Sequence, residues 1–204
     1  MRLVLIPAYG HSMSSDVPTP TPVRPAAGVL ELLARRRVTL SYVGALAYLL
    51  LARPRLPGLA AGAVVMLLGE GVRLWASGHI RKNQAVATTG PYARVRHPLY
   101  FGSAIIGVGL ALAAGSWALG LALLAALGLL FGAAVRREER RLGERFTVEY
   151  AAYRQAVPAF VPRLTPYDRG GRFDWDGVKR HREWRAVLGL VAGLGVLGAK
   201  ALLG

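Results

Sequence analysis

Residues 99–135 read LYFGSAIIGVGLALAAGSWALGLALLAALGLLFGAAV, thirty-seven positions without a charge. Gly115 and Ser116 divide them into two apolar runs, each close to the ~20 residues that carry a helix across a ~30 Å hydrocarbon layer. Similar runs lie on either side. Residues 58–77 are apolar except for Glu70 and Arg73, and residues 186–203 are broken only by Lys200. Val38 to Ala52 is shorter, with Arg37 and Arg53 placed to snorkel from its ends. None of these runs carries the polar stripe that a surface helix of a soluble bundle shows. The expected fold is therefore all-α, an integral membrane bundle of about five transmembrane helices. The composition agrees: of 204 residues 53% are hydrophobic and 18% charged, against roughly 25% charged in a soluble domain. The absence of cysteine excludes disulfides, thiolate zinc sites, iron–sulfur clusters and a cysteine nucleophile, and no metal site is expected.

The charge lies elsewhere. Lys and Arg number 26 against 11 Asp and Glu, an excess of 15. Arg24, Arg35, Arg36 and Arg37 precede the first span; Arg81, Lys82, Arg94 and Arg96 follow the second; residues 136–185 hold thirteen more. Between the first two spans there are only Arg53 and Arg55, and between the third and fourth no charge at all. The positive-inside rule then puts the N-terminus, the 78–98 loop and the 136–185 segment in the cytoplasm and the C-terminus outside. The basic excess is a topology signal and an attraction to anionic membrane lipids, so nucleic acid is not an expected partner. Heavy use of Gly, Ala, Leu and Arg resembles a GC-rich bacterial genome, which makes the bacterial inner membrane the expected location. From Pro7 to Pro25 five prolines read as an extended linker, and Ala26 to Ala34 as a short interfacial helix. The Gly/Ala/Leu runs read as membrane bias rather than as a repeat.

Two polar clusters remain. In the first, Gly90-Pro91 is a turn signal, and Pro98 disfavours helical geometry at His97 while suiting the first turn of the third span. Arg96 and His97 should stand beside a helix N-terminus, a good place for a carboxylate or phosphate. Tyr100 offers a ring and a hydroxyl, and Gly102 leaves room for something flat. The same residues also suit an interfacial anchor. In the second cluster, positions 142, 146, 150, 153 and 157 recur at helical spacing, which predicts a cytoplasmic amphipathic helix over 136–157. Glu138 and Glu139 are about 100° apart on it, so at most one points into the bundle. Glu70 and Arg73 share a face of the second span, either as a mutual ion pair or as part of a site.

Taken together, Arg96-His97-Pro98-x-Tyr100-x-Gly102, a two-span hairpin and Glu138-Glu139 resemble the isoprenylcysteine carboxyl methyltransferase family and its phospholipid methyltransferase relatives. Gly90-Pro91-Tyr92, Tyr150-x-x-Tyr153-x-x-x-Val157-Pro158 and, upstream, Arg73-x-Trp75-x-x-Gly78-His79-x-Arg81-Lys82 extend the likeness to roughly residues 65–162, about half the chain. The resemblance implies a membrane-embedded methyltransferase using S-adenosylmethionine, with a cofactor site drawn from Tyr92, Arg96, His97, Pro98, Tyr100, Gly102, Glu138 and Glu139. By chemical fit, Arg73 and Arg154 are assigned to orienting the acceptor, with Glu70, Tyr150 and Tyr153 beside it. Residues 1–37 then form a linker and interfacial segment, 38–163 the methyltransferase core, and 164–204 a cytoplasmic linker with the last span. The partner is a lipophilic methyl acceptor, an isoprenylcysteine-like carboxylate in preference to a lipid headgroup amine. Competing readings are a nicotinamide-dependent membrane reductase acting on sterol-like lipids and a non-catalytic membrane protein. Oligomeric state is not legible.

Overall fold

The computed structural model describes residues 29–80 and 86–204, so the proline-rich linker lies outside the described residues. Seven α-helices are present among them and no strand: α1 (Val29–Leu51), α2 (Leu56–Ser77), α3 (Pro98–Ala113), α4 (Trp117–Arg145), α5 (Thr147–Ala156), α6 (Trp175–Arg180) and α7 (Trp184–Leu203). A 3-10 turn at Gly90–Ala93 precedes α3. The protein is a helical membrane bundle. α2, α4 and α7 are long and apolar enough to cross a membrane, while the apolar part of α1 (Val38–Leu51) and the 16 residues of α3 are shorter. Sixteen residues span about 24 Å, somewhat less than the hydrocarbon layer.

α1, α2, α3, α4 and α7 alternate in direction. One end of the bundle collects the short connections, where the Arg53 amide donates to the Ala114 carbonyl at 3.0 Å and Lys200 of α7 donates to the Leu49 and Leu50 carbonyls of α1. Gly115 has φ +68 there and lies against the Arg53 carbonyl, a conformation and a closeness that exclude a side chain. The opposite end carries the basic loops. Tyr48, Leu59, Met66, Ala113 and Leu197 bring α1, α2, α3 and α7 into one core. Apolar side chains such as Val64, Leu67, Leu121 and Leu188 are exposed on the outside, as a lipid-facing surface requires.

The closest packing is between α2 and α3, and its cause is a register of glycines that the sequence reading put down to membrane bias. Gly62 and Gly69 on α2 face Gly109 and Gly102 on the antiparallel α3. A Cβ on Gly69 would stand 2.6 Å from the Gly102 carbonyl oxygen, and one on Gly102 would stand 2.7 Å from that of Gly69. In lipid, helix association depends on such close backbone approach, because burying apolar side chains gains little against hydrocarbon tails.

Two expectations about elements are corrected. The helix expected at Ala26 to Ala34 is not separate, since from Val29 one helix runs unbroken into the first span. Arg35 to Arg37 are good helix formers and no glycine or proline interrupts them. The helix expected over 136–157 is two pieces, because α4 continues straight to Arg145 and the chain bends at Phe146 (φ −128°, ψ 55°) into α5. The helical spacing of 142, 146, 150, 153 and 157 is nevertheless real: Tyr150, Tyr153 and Val157 are buried with Val86 and packed by Leu142 and Phe146. The bend lets α5 fold back over that cluster.

Candidate functional site

The site forms where the loop before α3 meets the basic end of α4. His97 is the N-cap residue of α3 with ψ 60°, outside helical geometry as the following Pro98 requires, and Pro98 occupies the first turn. Its ring is almost completely buried. Residues 158–167 form a strap along this loop. The amides of Arg96 and His97 donate to the Pro158 and Ala159 carbonyls, and those of Arg163 and Tyr167 donate to the Arg94 and Ala93 carbonyls. Phe160 sets its ring 6.1 Å from that of His97. Nothing in the sequence pattern announced the strap, because its bonds run through the backbone.

On α4, Glu139 turns toward the loop and Glu138 is exposed. Glu139 Oε1 accepts from Arg96 Nη2 at 3.1 Å and lies 3.1 Å from His97 Nε2, which donates when that nitrogen carries the proton. One carboxylate oxygen thus ties α4 to the α3 entry. Arg96 keeps two buried donors, Nε and Nη1, without a hydrogen-bond partner, and the Tyr150 hydroxyl on α5 is likewise buried and unbonded. Unpaired buried polar atoms are costly, typically about 1–3 kcal/mol each, so three near one another make this a candidate position for a ligand. Burial pushes the Tyr150 phenol up to about 12, with Glu139 adding to the rise, so at neutral pH the hydroxyl keeps its proton and can donate. Glu139 and Tyr150 line an open groove of about 820 Å³ between α4 and α5, whose rim carries the exposed Arg154 together with Arg136.

The other candidate residues are placed as follows. Tyr100 packs on Phe131 of α4 at 5.7 Å and on the His97 ring at 6.1 Å, making an aromatic wall between α3 and α4. Tyr92 is buried, and burial holds its phenol well above the ordinary range. Tyr153 donates its hydroxyl to the Tyr92 carbonyl at 2.7 Å, which makes it a brace between α5 and the 3-10 turn. Gly102 faces α2, where a Cβ would meet Arg73 Cγ at 2.8 Å. The room it leaves is filled by helix packing, so it is not open to a flat ligand.

Arg73 belongs to a second cluster. Its Nη1 donates to Ser103 Oγ at 2.5 Å and its Nη2 pairs with Glu183 Oε2 at 2.7 Å, while its Nε lies 3.4 Å from Glu70 Oε2. Glu70 Oε1 is buried without a partner. Glu183 and Ser103 were missed in the sequence; Glu183 is an acid just ahead of the last span, and only the fold carries it to Arg73. A further cleft of about 730 Å³ lies beyond the end of α2, lined by His79, Phe173 and His181 among others. Several of its polar groups are engaged: His79 Nδ1 contacts the Trp75 carbonyl, His181 Nδ1 the Ser77 carbonyl, and Arg180 pairs with Asp174. Among the described residues no group of three or more His, Asp or Glu is placed to hold a metal ion.

The class that this bundle defines is a helical membrane protein, and the comparison with known families places its central segment beside membrane methyltransferases. Residues 59–148, from α2 to the start of α5, match the model of the phospholipid methyltransferase family. The chain is 37% identical over 140 residues to the cobalt-zinc-cadmium resistance protein CzcN of Cupriavidus metallidurans, covering 64% of this chain and 63% of that one. It is 36% identical over 109 residues to the nickel-cobalt-cadmium resistance protein NccN of Alcaligenes xylosoxydans xylosoxydans, covering 52% of this chain and 51% of that one. The chain thus spans between half and two thirds of the length of these relatives. No solved structure matches it.

Proposed function

We propose that this protein is a membrane-embedded methyltransferase that draws its methyl group from S-adenosylmethionine and transfers it to a lipophilic acceptor at the basic, cytoplasmic end of the bundle. The observation that carries the reading is the buried set of unpaired donors, Arg96 Nε and Nη1 and the Tyr150 hydroxyl, beside Glu139. The residues fit the cofactor's chemistry. Arg96 and Tyr150 would hold its carboxylate, Glu139 its ammonium or ribose diol, and the wall of Tyr100 and Phe131 a ring. When bound, the cofactor supplies a methyl group on a positively charged sulfur. His97 orients Glu139 and steadies the α3 entry, and the strap over 158–167 with α5 covers the loop and excludes water.

Displacement at a methyl carbon depends mainly on alignment, so positioning by fixed elements is the protein's main contribution. An acceptor with a lipid tail is best met sideways from the bilayer, since only its headgroup is then dehydrated. A carboxylate acceptor is favoured over an amine because it needs no proton removed. The resistance setting of the relatives suggests comparing lipid extracts from cells grown with and without toxic divalent metals when searching for it. Calorimetric titration of the detergent-solubilised protein with S-adenosylmethionine and then NADPH tests the reading. Binding of the first alone is expected; binding of NADPH alone would replace the methyltransferase with a reductase.

A further inference from the structure

The Arg73 cluster holds two carboxylates for one guanidinium. Glu70 comes from the same helix, three residues away, and its contact is the longer one, 3.4 Å to Nε. Glu183 comes from the start of α7, 110 residues on, and makes the shorter contact, 2.7 Å to Nη2. The two side chains of that pair are only 19% and 11% exposed. With Glu183 in place the cluster carries one formal negative charge in excess, and Glu70 Oε1 is buried without a hydrogen bond. One carboxylate is surplus to the cluster, and the one that can leave is Glu183.

The element that carries Glu183 has its one buried residue far from that end. α7 buries only Leu197 of its twenty residues, near the opposite end of the bundle, and it lies outside the 59–148 family segment. Immediately before Glu183, Arg182 stands at φ +58, a left-handed conformation that a residue with a side chain adopts at a cost. Just upstream, α6 is fastened to the end of α2, where the Asp174 amide donates to the Gly78 carbonyl at 2.9 Å and His181 Nδ1 contacts the Ser77 carbonyl at 3.1 Å. The Arg182 amide donates to the Lys179 carbonyl at 3.0 Å and the Glu183 amide to that of Val178 at 3.4 Å, so the strained residue sits at the joint between α6 and α7.

We propose that Arg73 is the binding point for a carboxylate on a lipid-tailed acceptor, and that Glu183 occupies this point until the acceptor displaces it, with Arg182 as the pivot. This rests on the methyltransferase reading for its chemistry but not for its binding. The exchange keeps the charge count at Arg73 unchanged and returns Glu183 to water. In the reaction, a carboxylate oxygen bonds to the methyl carbon as that carbon's bond to the sulfonium breaks; the electron pair stays on sulfur and no proton moves. The ester product is neutral and loses its attraction to Arg73. Glu183 then recloses and expels it into the bilayer.

The test measures binding of hexadecanoate, hexadecanol and hexadecylamine to the full chain in lipid nanodiscs, without a methyl donor. Wild type should prefer the acid. Glu183→Gln removes the competing charge and should bind hexadecanoate about tenfold more tightly, with the alcohol and the amine unchanged, because a site closed most of the time weakens apparent affinity by its open fraction. Arg182→Gly relieves the strain of the closed form and should shift hexadecanoate binding severalfold in the opposite direction. Unchanged acid affinity in both variants, or equal binding of acid and alcohol by wild type, would overturn the proposal. S-adenosylmethionine binding is measured in parallel on the same samples. If it fails while the acid responses hold, the methyltransferase reading falls and the carboxylate site stands; the converse sinks the site alone.

Discussion

Glu138 and Glu139 are neighbours in sequence with opposite environments, so alanine substitution of each in turn separates a ligand site from a general electrostatic effect. Glu139→Ala removes the acceptor of Arg96 Nη2 and the partner of His97 Nε2, both at 3.1 Å. Arg96 then has no protein partner for any of its guanidinium nitrogens, two of which are already unbonded. Losing a charge-assisted hydrogen bond in a partly dehydrated site costs about 1.5–3 kcal/mol, which predicts S-adenosylmethionine binding weakened at least tenfold, ~1.4 kcal/mol or more. Glu138→Ala removes an exposed carboxylate of the same charge and should change affinity less than about twofold. The assay is calorimetric titration of each detergent-solubilised variant, with thermal unfolding to show that the bundle is retained. Equal losses in the two variants, or wild-type affinity in Glu139→Ala, would refute the assignment of Glu139 to the site. His97→Ala should fall on the Glu139 side of this comparison.

Other expectations follow from single contacts. Tyr153→Phe leaves the buried Tyr92 carbonyl without its donor and should lower stability by about 1–2 kcal/mol in a denaturant or thermal series, whereas Tyr150→Phe, whose hydroxyl has no protein partner, should leave stability unchanged and weaken cofactor binding. With the Tyr150 phenol raised to about 12 by burial, its contribution should be level from neutral pH to about 10 and be lost as pH rises toward 12; a loss already at pH 8 in wild type but not in Tyr150→Phe would contradict this. Gly69→Ala drives a methyl group into the Gly102 carbonyl and should destabilise the bundle by about 1–3 kcal/mol, while Gly128→Ala, which meets nothing within 4 Å, should be silent in the same unfolding assay. In a chain without native cysteine, Ser116→Cys should react with an external thiol reagent and Thr89→Cys should not; the reverse pattern would invert the topology.

What the sequence determined by itself is what local chemistry decides. Uncharged runs of the right length must become helices in lipid, since no other spanning segment satisfies its own backbone, and this alone dictates an all-helical bundle. Pro98 after His97 sets the entry of α3 for the same local reason. The adjacent pair of glutamates could be narrowed to one inward residue by helical geometry, but only the rotation of α4 against the loop selected Glu139. Tertiary structure decided everything that depends on distant parts of the chain meeting. Gly102 looked open in a list of neighbours and is closed by Gly69, thirty-three positions earlier. Tyr153 looked like a ligand contact and is used by the Tyr92 carbonyl. The spacing put Arg73 and Glu70 on one face, as a mutual ion pair or as part of a site, yet the shorter contact of Arg73 is with Glu183 on a helix the motif does not include. The physical reason is the same in each case: a single strand of sequence records which groups are present and their local spacing, whereas the partner that satisfies a buried polar group is set by which helix faces pack together.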